Sequence, residues 1–93
     1  MSDIQFEWDV RKVAANLKKH GVGFAEAKSV FFDDRAKRID DPDHSDEEDR
    51  FVLLGLSQAP RLLLVCHCYR GESGVIRIIS ARKAKPREAK FYP

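Results

Sequence analysis

Two apolar runs in the second half of the chain constrain the fold more than any other feature. Phe51–Leu56 and Leu62–Cys68 are almost continuously apolar, as strands covered on both faces are. The short linker Ser57–Pro60 joins them, and the turn Gly71–Gly74 leads into a third apolar segment, Val75–Ala81. Connections this short join antiparallel strands, because a parallel crossover needs about a dozen residues or more. The pattern therefore predicts an antiparallel meander of three strands.

A short strand and a helix are predicted near the N-terminus. Residues Ile4–Trp8 alternate apolar and polar side chains, which is the period of a half-buried strand. Asp9 can then cap the N-terminus of a helix that ends at Gly21. Between these two positions, apolar residues recur at helical spacing and predict one buried stripe, formed by Val10, Val13, Ala14 and Leu17.

Two further helices complete a predicted α+β fold. A second helix is expected over Phe24–Phe32, and Pro86 suits the first turn of a final helix that reaches about Tyr92. Residues 1–93 are thus expected to form one domain, with two N-terminal helices packed on an antiparallel sheet and a short C-terminal helix. There is no apolar run long enough to span a bilayer and no signal-peptide pattern, so a cytoplasmic protein is expected. A chain of this length has no room for a separate cofactor domain, and no cofactor is expected.

The charges of the chain are strongly segregated. The formal net charge is only +2, from 17 Lys+Arg and 15 Asp+Glu. However, seven of the ten residues in Asp40–Asp49 are acidic, so the rest of the chain carries +9. This asymmetry predicts an anion-binding body with an acidic loop, although charged residues also coat the surface of any small domain. The acidic run lacks the spacing and the glycine of an EF-hand, so a solvated loop is expected there, whose anionic surface could contact the protein's own bases or a basic partner.

The sequence Cys66-His67-Cys68 is expected to be structural. Alternation along a strand places both thiols on one face and the imidazole on the other, so the three side chains cannot converge on one metal ion. Both cysteines also lie in an apolar strand, where cysteine packs as a small hydrophobe. No metal site is therefore predicted at these residues.

A set of cations and proton carriers matches the needs of RNA cleavage without a metal ion. Such cleavage requires a base for the 2′-hydroxyl, an acid for the 5′-oxygen and cations that neutralise a phosphorane. His20 titrates nearest neutral pH, and Arg77 and Arg82 offer planar phosphate contacts from the third apolar segment. Simpler interpretations also exist, because His20 can interact with the helix dipole and Arg77 can pair with an acidic residue.

The order of these residues resembles the BrnT toxin family, from about Phe6 to Tyr92. In the N-terminal half the resemblance rests on Phe6-x-Trp8-Asp9, Asn16-x-x-Lys19-His20-Gly21-Val22-x-Phe24-x-x-Ala27 and Phe31-x-Asp33. In the C-terminal half it rests on Arg50-Phe51, Gly55, Arg61-Leu62-Leu63 and Arg77-Ile78-Ile79-Ser80-Ala81-Arg82-x-Ala84, followed by Glu88 and Tyr92. The stretches around His20 and Arg82, in this order and spacing, make the resemblance specific.

The resemblance implies a RelE-like fold and a ribonuclease toxin of a bacterial type II toxin–antitoxin system. It implies metal-independent endonucleolytic cleavage that inhibits translation and growth. It also implies neutralisation by a BrnA-like ribbon-helix-helix antitoxin, whose hetero-oligomer with the toxin binds operator DNA. The candidate catalytic residues are His20, Lys19, Arg77, Arg82, Glu88 and Tyr92, and the candidate RNA-binding residues are Lys83 and Arg87. The alternative is a non-catalytic module that binds RNA or the ribosome and is regulated by a partner protein.

Overall fold

The structure, a computed structural model, describes residues 4–39, 50–71 and 74–93 of the chain. Its elements are, in order, β1 (Phe6–Glu7), α1 (Val10–His20), α2 (Phe24–Ser29), a 3₁₀ turn (Val30–Phe32), β2 (Lys37–Ile39), β3 (Phe51–Leu56), β4 (Leu62–Arg70), β5 (Val75–Lys83) and α3 (Pro86–Ala89). The predicted α+β class is therefore confirmed. No helix in these three ranges is long and apolar enough to cross a membrane. The predicted acidic loop over Asp40–Asp49 lies outside the described residues.

The strands form one mixed sheet in the order β1-β5-β4-β3-β2. The predicted meander is confirmed, because β3 pairs antiparallel with β4 and β4 pairs antiparallel with β5. The prediction of a purely antiparallel sheet is wrong, since β1 pairs parallel with β5 and places Phe6 opposite Ile76. Alternation along Ile4–Trp8 indicates a strand but carries no information about its partner or direction. The three-residue strand β2, antiparallel to β3 at the other edge, lies outside the predicted elements.

Each face of the sheet is covered by a different part of the chain. On one face, the segment around α2 buries Val22, Phe24, Ala27 and Val30 against Leu63, Val65, Ile78 and Ala81 of β4 and β5. On the other face, Val52, Leu54, Leu64 and Cys66 pack against side chains that include Ala84 and Tyr92. The C-terminal segment therefore lies on the opposite side of the sheet from the two N-terminal helices.

The face of α1 that contacts the sheet differs from the prediction. Asp9 caps this helix and Gly21 ends it at a φ of 70°, as expected. Most of the predicted stripe is not buried, however: Val10 is 76% exposed, Leu17 is 52% exposed and Ala14 is exposed as well, and only the half-buried Val13 packs against the core. The buried residue of α1 is Asn16, at 7% exposure. Helical periodicity locates an apolar stripe, but the hydrogen bonds of Asn16 decide which side of this helix faces the sheet.

The last helix is also shorter than predicted. Pro86 occupies its first position as expected, but the helix ends at Ala89 and does not reach Tyr92. Glu88 in its first turn accepts the backbone N–H of Lys85 at 2.7 Å, which stabilises the start of the helix. The chain then leaves the helical path, and Tyr92 packs against the second face of the sheet.

Candidate active site

The end of α1 is tied to the end of β5 through one buried side chain. The Asn16 amide nitrogen donates to the carbonyl oxygens of Val22 at 2.8 Å and Ala81 at 2.9 Å. The Asn16 amide oxygen accepts the backbone N–H of Ala81 at 3.1 Å. Because β1 is only two residues long, it leaves this part of the β5 edge open, and Asn16 pairs with it there. Lys19 and His20, in the last turn of α1, are thereby brought near Arg82, which follows Ala81 in the chain.

His20 has an environment that suits a proton acceptor. Its imidazole is partly buried, and burial is the main cause that lowers its pKa below the usual 6.5. The positive charges of Lys19 and Arg82 lower the pKa of His20 further. A neutral imidazole therefore predominates at pH 7, and it lies among cations that attract a phosphate group.

Arg82 is held in place by Glu88. Its Nη1 and Nη2 atoms donate to the two carboxylate oxygens of Glu88 at 2.9 and 2.8 Å, which is a bidentate geometry. Only 9% of the Glu88 side chain is exposed, and the bond to Arg82 lowers the pKa of Glu88 to about 2. Glu88 is therefore ionised throughout the physiological range and has no proton to donate. The geometry favours a positioning role for Glu88 on Arg82.

Arg77 lies away from this cluster, near the start of β5. Its Nη1 donates to Glu7 of β1 at 2.7 Å, and Arg70 approaches the same carboxylate oxygen at 3.2 Å. Arg77 and Arg82 are five positions apart on one strand, which corresponds to roughly 16 Å. The structure therefore places Arg77 in an ion-pair group at the β1–β5 junction, apart from His20.

Tyr92 is also engaged elsewhere. Its hydroxyl donates to Asp33 Oδ2 at 2.7 Å, and this bond raises the pKa of Tyr92 above 10. Asp33 also accepts the backbone N–H groups of Leu56 at 2.8 Å and Arg35 at 3.0 Å. Asp33 thus links the 3₁₀ turn, β3 and the C-terminal segment. In the sequence, Asp33 is noticed only as part of Phe31-x-Asp33, one of the motifs behind the family resemblance. That motif does not indicate that Asp33 links these three segments.

The two candidate RNA-binding residues lie in different places. Lys83 follows Ala81 by two positions on β5, and its positive charge helps to lower the pKa of Glu26 in α2. Glu26 itself is held by Arg61, whose Nε and Nη2 atoms donate to the carboxylate at 2.7 and 2.6 Å. Arg87 belongs to α3, on the side of the sheet that faces away from α2.

Arg87 lines a groove between α3 and the edge strand β2. The groove has a volume of about 710 Å³, and its walls are formed by Lys37, Arg38, Ile39, Arg87, Glu88, Lys90 and Phe91. Arg38 packs its guanidinium over the ring of Phe51, with the carbon atom 4.7 Å from the ring centroid. Sequence reasoning misses most of this groove, because β2 is too short to be recognised by pattern.

The Cys66-His67-Cys68 sequence is part of the core, as expected. His67 is 2% exposed, and its ring lies 4.8 Å from that of Phe31 in an edge-on contact. Cys66 packs with Val52 and Leu54 on the opposite face of the sheet. Burial lowers the pKa of His67, so its imidazole stays neutral. Across residues 4–39, 50–71 and 74–93, no three His, Cys, Asp or Glu side chains gather in a way that could hold a metal ion.

Comparisons with known proteins give a consistent family match. The family described as "Ribonuclease toxin, BrnT, of type II toxin-antitoxin system" matches residues 8–88. The 1.1 Å crystal structure of the Brucella abortus ribonuclease toxin BrnT is similar, with a TM-score of 0.69 and 25% sequence identity. The match covers 89% of this chain and 99% of the Brucella chain. No curated protein sequence matches the chain.

Proposed function

The chain belongs to the BrnT family, the ribonuclease toxins of type II toxin–antitoxin systems, and from this membership we propose that it cuts RNA internally without a metal ion. The observation that carries the proposal is the cluster at the junction of α1 and β5. There, the positive charges of Lys19 and Arg82 act on His20 and, together with its burial, lower its pKa. Neutral imidazole and cations are the groups that transesterification at an RNA phosphate requires.

The proposed reaction uses the 2′-hydroxyl of the RNA as the nucleophile. His20 removes the 2′-hydroxyl proton, and the 2′-oxygen attacks the adjacent phosphorus. Arg82 and Lys19 neutralise the charge that develops on the phosphorane oxygens, with Arg82 held in position by Glu88. The bond to the 5′-oxygen then breaks, and the imidazolium of His20 returns the proton to that oxygen. The products are a 2′,3′-cyclic phosphate and a 5′-hydroxyl.

The decisive experiment is cleavage of a labelled RNA by the purified protein in the presence of EDTA. New 5′-hydroxyl ends are expected with the wild type, and an RNA with a 2′-deoxy residue at the cut position should stay intact. Arg82→Ala should lower the rate by about 10²- to 10³-fold, as loss of a donor to a transition-state oxyanion does. Arg77→Ala is the matched control, because it removes the same side chain from the same strand.

Two outcomes would contradict the proposed reaction. RNA binding without new ends at any pH between 6 and 9 would favour the alternative, a non-catalytic RNA- or ribosome-binding module. Equal loss of activity in the two arginine variants would show that the α1–β5 cluster has no special part in the chemistry. In cells, Arg82→Ala at wild-type protein level should relieve growth arrest, and undiminished arrest would remove Arg82 from the catalytic residues.

Cellular control is proposed to come from an antitoxin. A type II toxin has an antitoxin partner, and we propose a BrnA-like ribbon-helix-helix protein that reaches operator DNA only as part of the complex, in the cytoplasm. The exposed bases of α1 support an acidic contact surface on this partner: Arg11, Lys12, Lys18 and Lys19, in a helix without acidic residues.

Co-expression with the neighbouring open reading frame should restore growth and allow co-purification. High salt should slow association more than it speeds dissociation, and salt-independent association would contradict an electrostatic partner.

A further inference from the structure

Three cationic side chains, those of Lys37, Arg87 and Lys90, line the groove between β2 and α3, whereas the Arg38 guanidinium stacks on Phe51 on the other face of the sheet. We infer that this groove, with the side chains of Lys37, Arg87, Lys90 and Phe91, binds a single-stranded segment of RNA next to the catalytic cluster. The inference rests on the proposed ribonuclease function, and it extends the RNA contact surface from Arg87 to Lys37, Lys90 and Phe91, which no pattern in the sequence indicates.

The charge balance of the groove separates it from the other arginine sites of the protein. Arg11, Arg61, Arg77 and Arg82 each form an ion pair with a carboxylate, at N–O distances of 2.6 to 3.2 Å. Within the described part of the chain, the groove cations Lys37, Arg87 and Lys90 have no carboxylate oxygen within 4.0 Å. Unpaired like charges on one concave surface raise the local positive potential, which favours a polyanion.

Glu88, the acidic residue that the described part of the chain contributes to the groove wall, does not change this balance. Both carboxylate oxygens of Glu88 accept bonds from Arg82, and one of them also accepts the Lys85 backbone N–H. Its negative charge is therefore offset by Arg82. Because Glu88 lines the groove and also holds Arg82, the groove is continuous with the proposed catalytic cluster. An RNA strand that leaves the cut site across Arg82 would enter the groove directly.

An exposed aromatic ring favours RNA over an acidic protein segment. Phe91 is 52% exposed and lies in the wall of the groove with the cations Lys37, Arg87 and Lys90. An acidic peptide gains from the cations but has no specific use for this ring. A nucleotide uses both, because its phosphate contacts the cations and its base stacks on the aromatic face. Stacking of this kind tolerates any base, so the groove should add affinity with little sequence preference.

The test measures RNA binding separately from cleavage. The probe is a fluorescein-labelled oligo(U) of about twelve nucleotides, a length that spans both the cluster and the groove. All variants carry His20→Ala, so that the probe stays intact. The double variant Lys37→Ala/Lys90→Ala should weaken binding roughly tenfold at low salt, and it should reduce the slope of log affinity against log salt by about 1.4, or 0.7 for each lost phosphate contact. Phe91→Ala should weaken binding at least about fivefold without changing that slope.

A matched control removes the same charge from the other side of the sheet. Lys12→Ala/Lys28→Ala alters two exposed lysines of α1 and α2, and its affinity for oligo(U) should stay within about twofold of the parent. Far-ultraviolet circular dichroism and the thermal midpoint of each variant verify that it is folded. Equal losses in the two double variants would show a non-specific charge effect and would overturn the inference.

A second probe tests the competing class of ligand. An oligo-glutamate peptide of similar net charge should bind more weakly than oligo(U), and Phe91→Ala should not affect it. If the groove variants weaken only the peptide, the groove binds an acidic protein segment and the inference is wrong. Failure of the groove inference can be distinguished from failure of the proposed ribonuclease function. If the wild-type protein yields no new RNA ends but binds oligo(U) through the groove, the proposed cleavage is wrong and the groove inference stands. If the protein cleaves RNA normally but the groove variants bind oligo(U) as well as their parent, the groove inference is wrong and the proposed cleavage stands.

Discussion

Asn16 of α1 and Ala81 of β5 are joined by two hydrogen bonds that run in opposite directions, at 2.9 and 3.1 Å. The side-chain amide thus takes the place of a neighbouring strand at an open part of the β5 edge. This pairing brings the end of α1, with Lys19 and His20, to the position of Arg82. A polar residue in the buried face of a helix is therefore what assembles the proposed catalytic cluster.

Replacement of Asn16 by aspartate should disrupt this junction. Asn16→Asp removes the amide donor for the Val22 and Ala81 carbonyls and places a carboxylate in a site that is 7% exposed. We expect a loss of about 2–3 kcal/mol in the free energy of unfolding, measured with urea, because two buried acceptors lose their partner. RNA cleavage by the remaining folded protein should also fall. Gln58→Glu makes the same change at an exposed amide and should cost less than about 0.5 kcal/mol. Similar costs for both variants would contradict a structural role for the Asn16 amide.

The bond between Glu88 and Arg82 should make stability depend on pH below neutrality. The folded-state pKa of Glu88 is about 2, below its usual 4.5, so the unfolded state binds the proton more readily. The resulting stabilisation is fully present above pH 4.5 and is lost as the pH falls towards 2. Glu88→Gln should therefore destabilise the protein by about 2 kcal/mol at pH 7. This value is smaller than the roughly 3 kcal/mol that the pKa shift alone implies, because Arg82 is partly exposed and solvent weakens the ion pair.

The measurement is urea unfolding of the wild type and Glu88→Gln between pH 7 and pH 2.5. The difference between them should shrink steadily once the pH falls below 4.5. Asp34→Asn removes a charge from an exposed residue and serves as the control, with an expected effect under about 0.5 kcal/mol. A difference that stays constant down to pH 2.5 would mean that the Glu88 carboxylate is not the group that titrates.

The cations around His20 should be detectable in its titration. Lys19 and Arg82 lower the pKa of His20, so Lys19→Met and Arg82→Met should each raise it, as followed by NMR of the imidazole Cε1 proton. Lys12→Met, on the same helix, should leave it unchanged. In the wild type, the cleavage rate should rise with pH as His20 loses its proton, and the rate should be half-maximal at a pH below 6.5. If the pKa of His20 is unchanged in both methionine variants, Lys19 and Arg82 do not influence His20, and the prediction is wrong.

Tyr92 should contribute to stability and not to chemistry. Tyr92→Phe removes the hydroxyl that donates to Asp33 and should cost about 1 kcal/mol in urea unfolding, the usual net value of such a bond. The cleavage rate per folded molecule should stay within about twofold of the wild type. Tyr69→Phe, at a residue 48% exposed, is the control and should change neither quantity. A large loss of cleavage with unchanged stability would place Tyr92 among the catalytic residues after all.

Much of the fold can be predicted from local pattern. The apolar runs at Phe51–Leu56 and Leu62–Cys68, with their short linker, determine the antiparallel meander, because no other connection fits between them. Capping at Asp9 and termination at Gly21 likewise depend on residues only a few positions apart. The order of motifs also identifies the family, which the match over residues 8–88 confirms. These features share one property, since the residues that decide them are close together in the chain.

The tertiary structure alone decided which candidate residues meet. His20 and Arg82 are 62 positions apart in the numbering, and their proximity depends on the contact of Asn16 with Ala81, which leaves Val10, Ala14 and Leu17 of the apolar stripe exposed. The same applies to Arg77 and Tyr92, whose partners Glu7 and Asp33 come from distant segments and remove both residues from the cluster. A sequence pattern indicates which chemical groups are present, whereas the long-range hydrogen bonds and ion pairs of the folded chain determine where each group lies and which partner it binds.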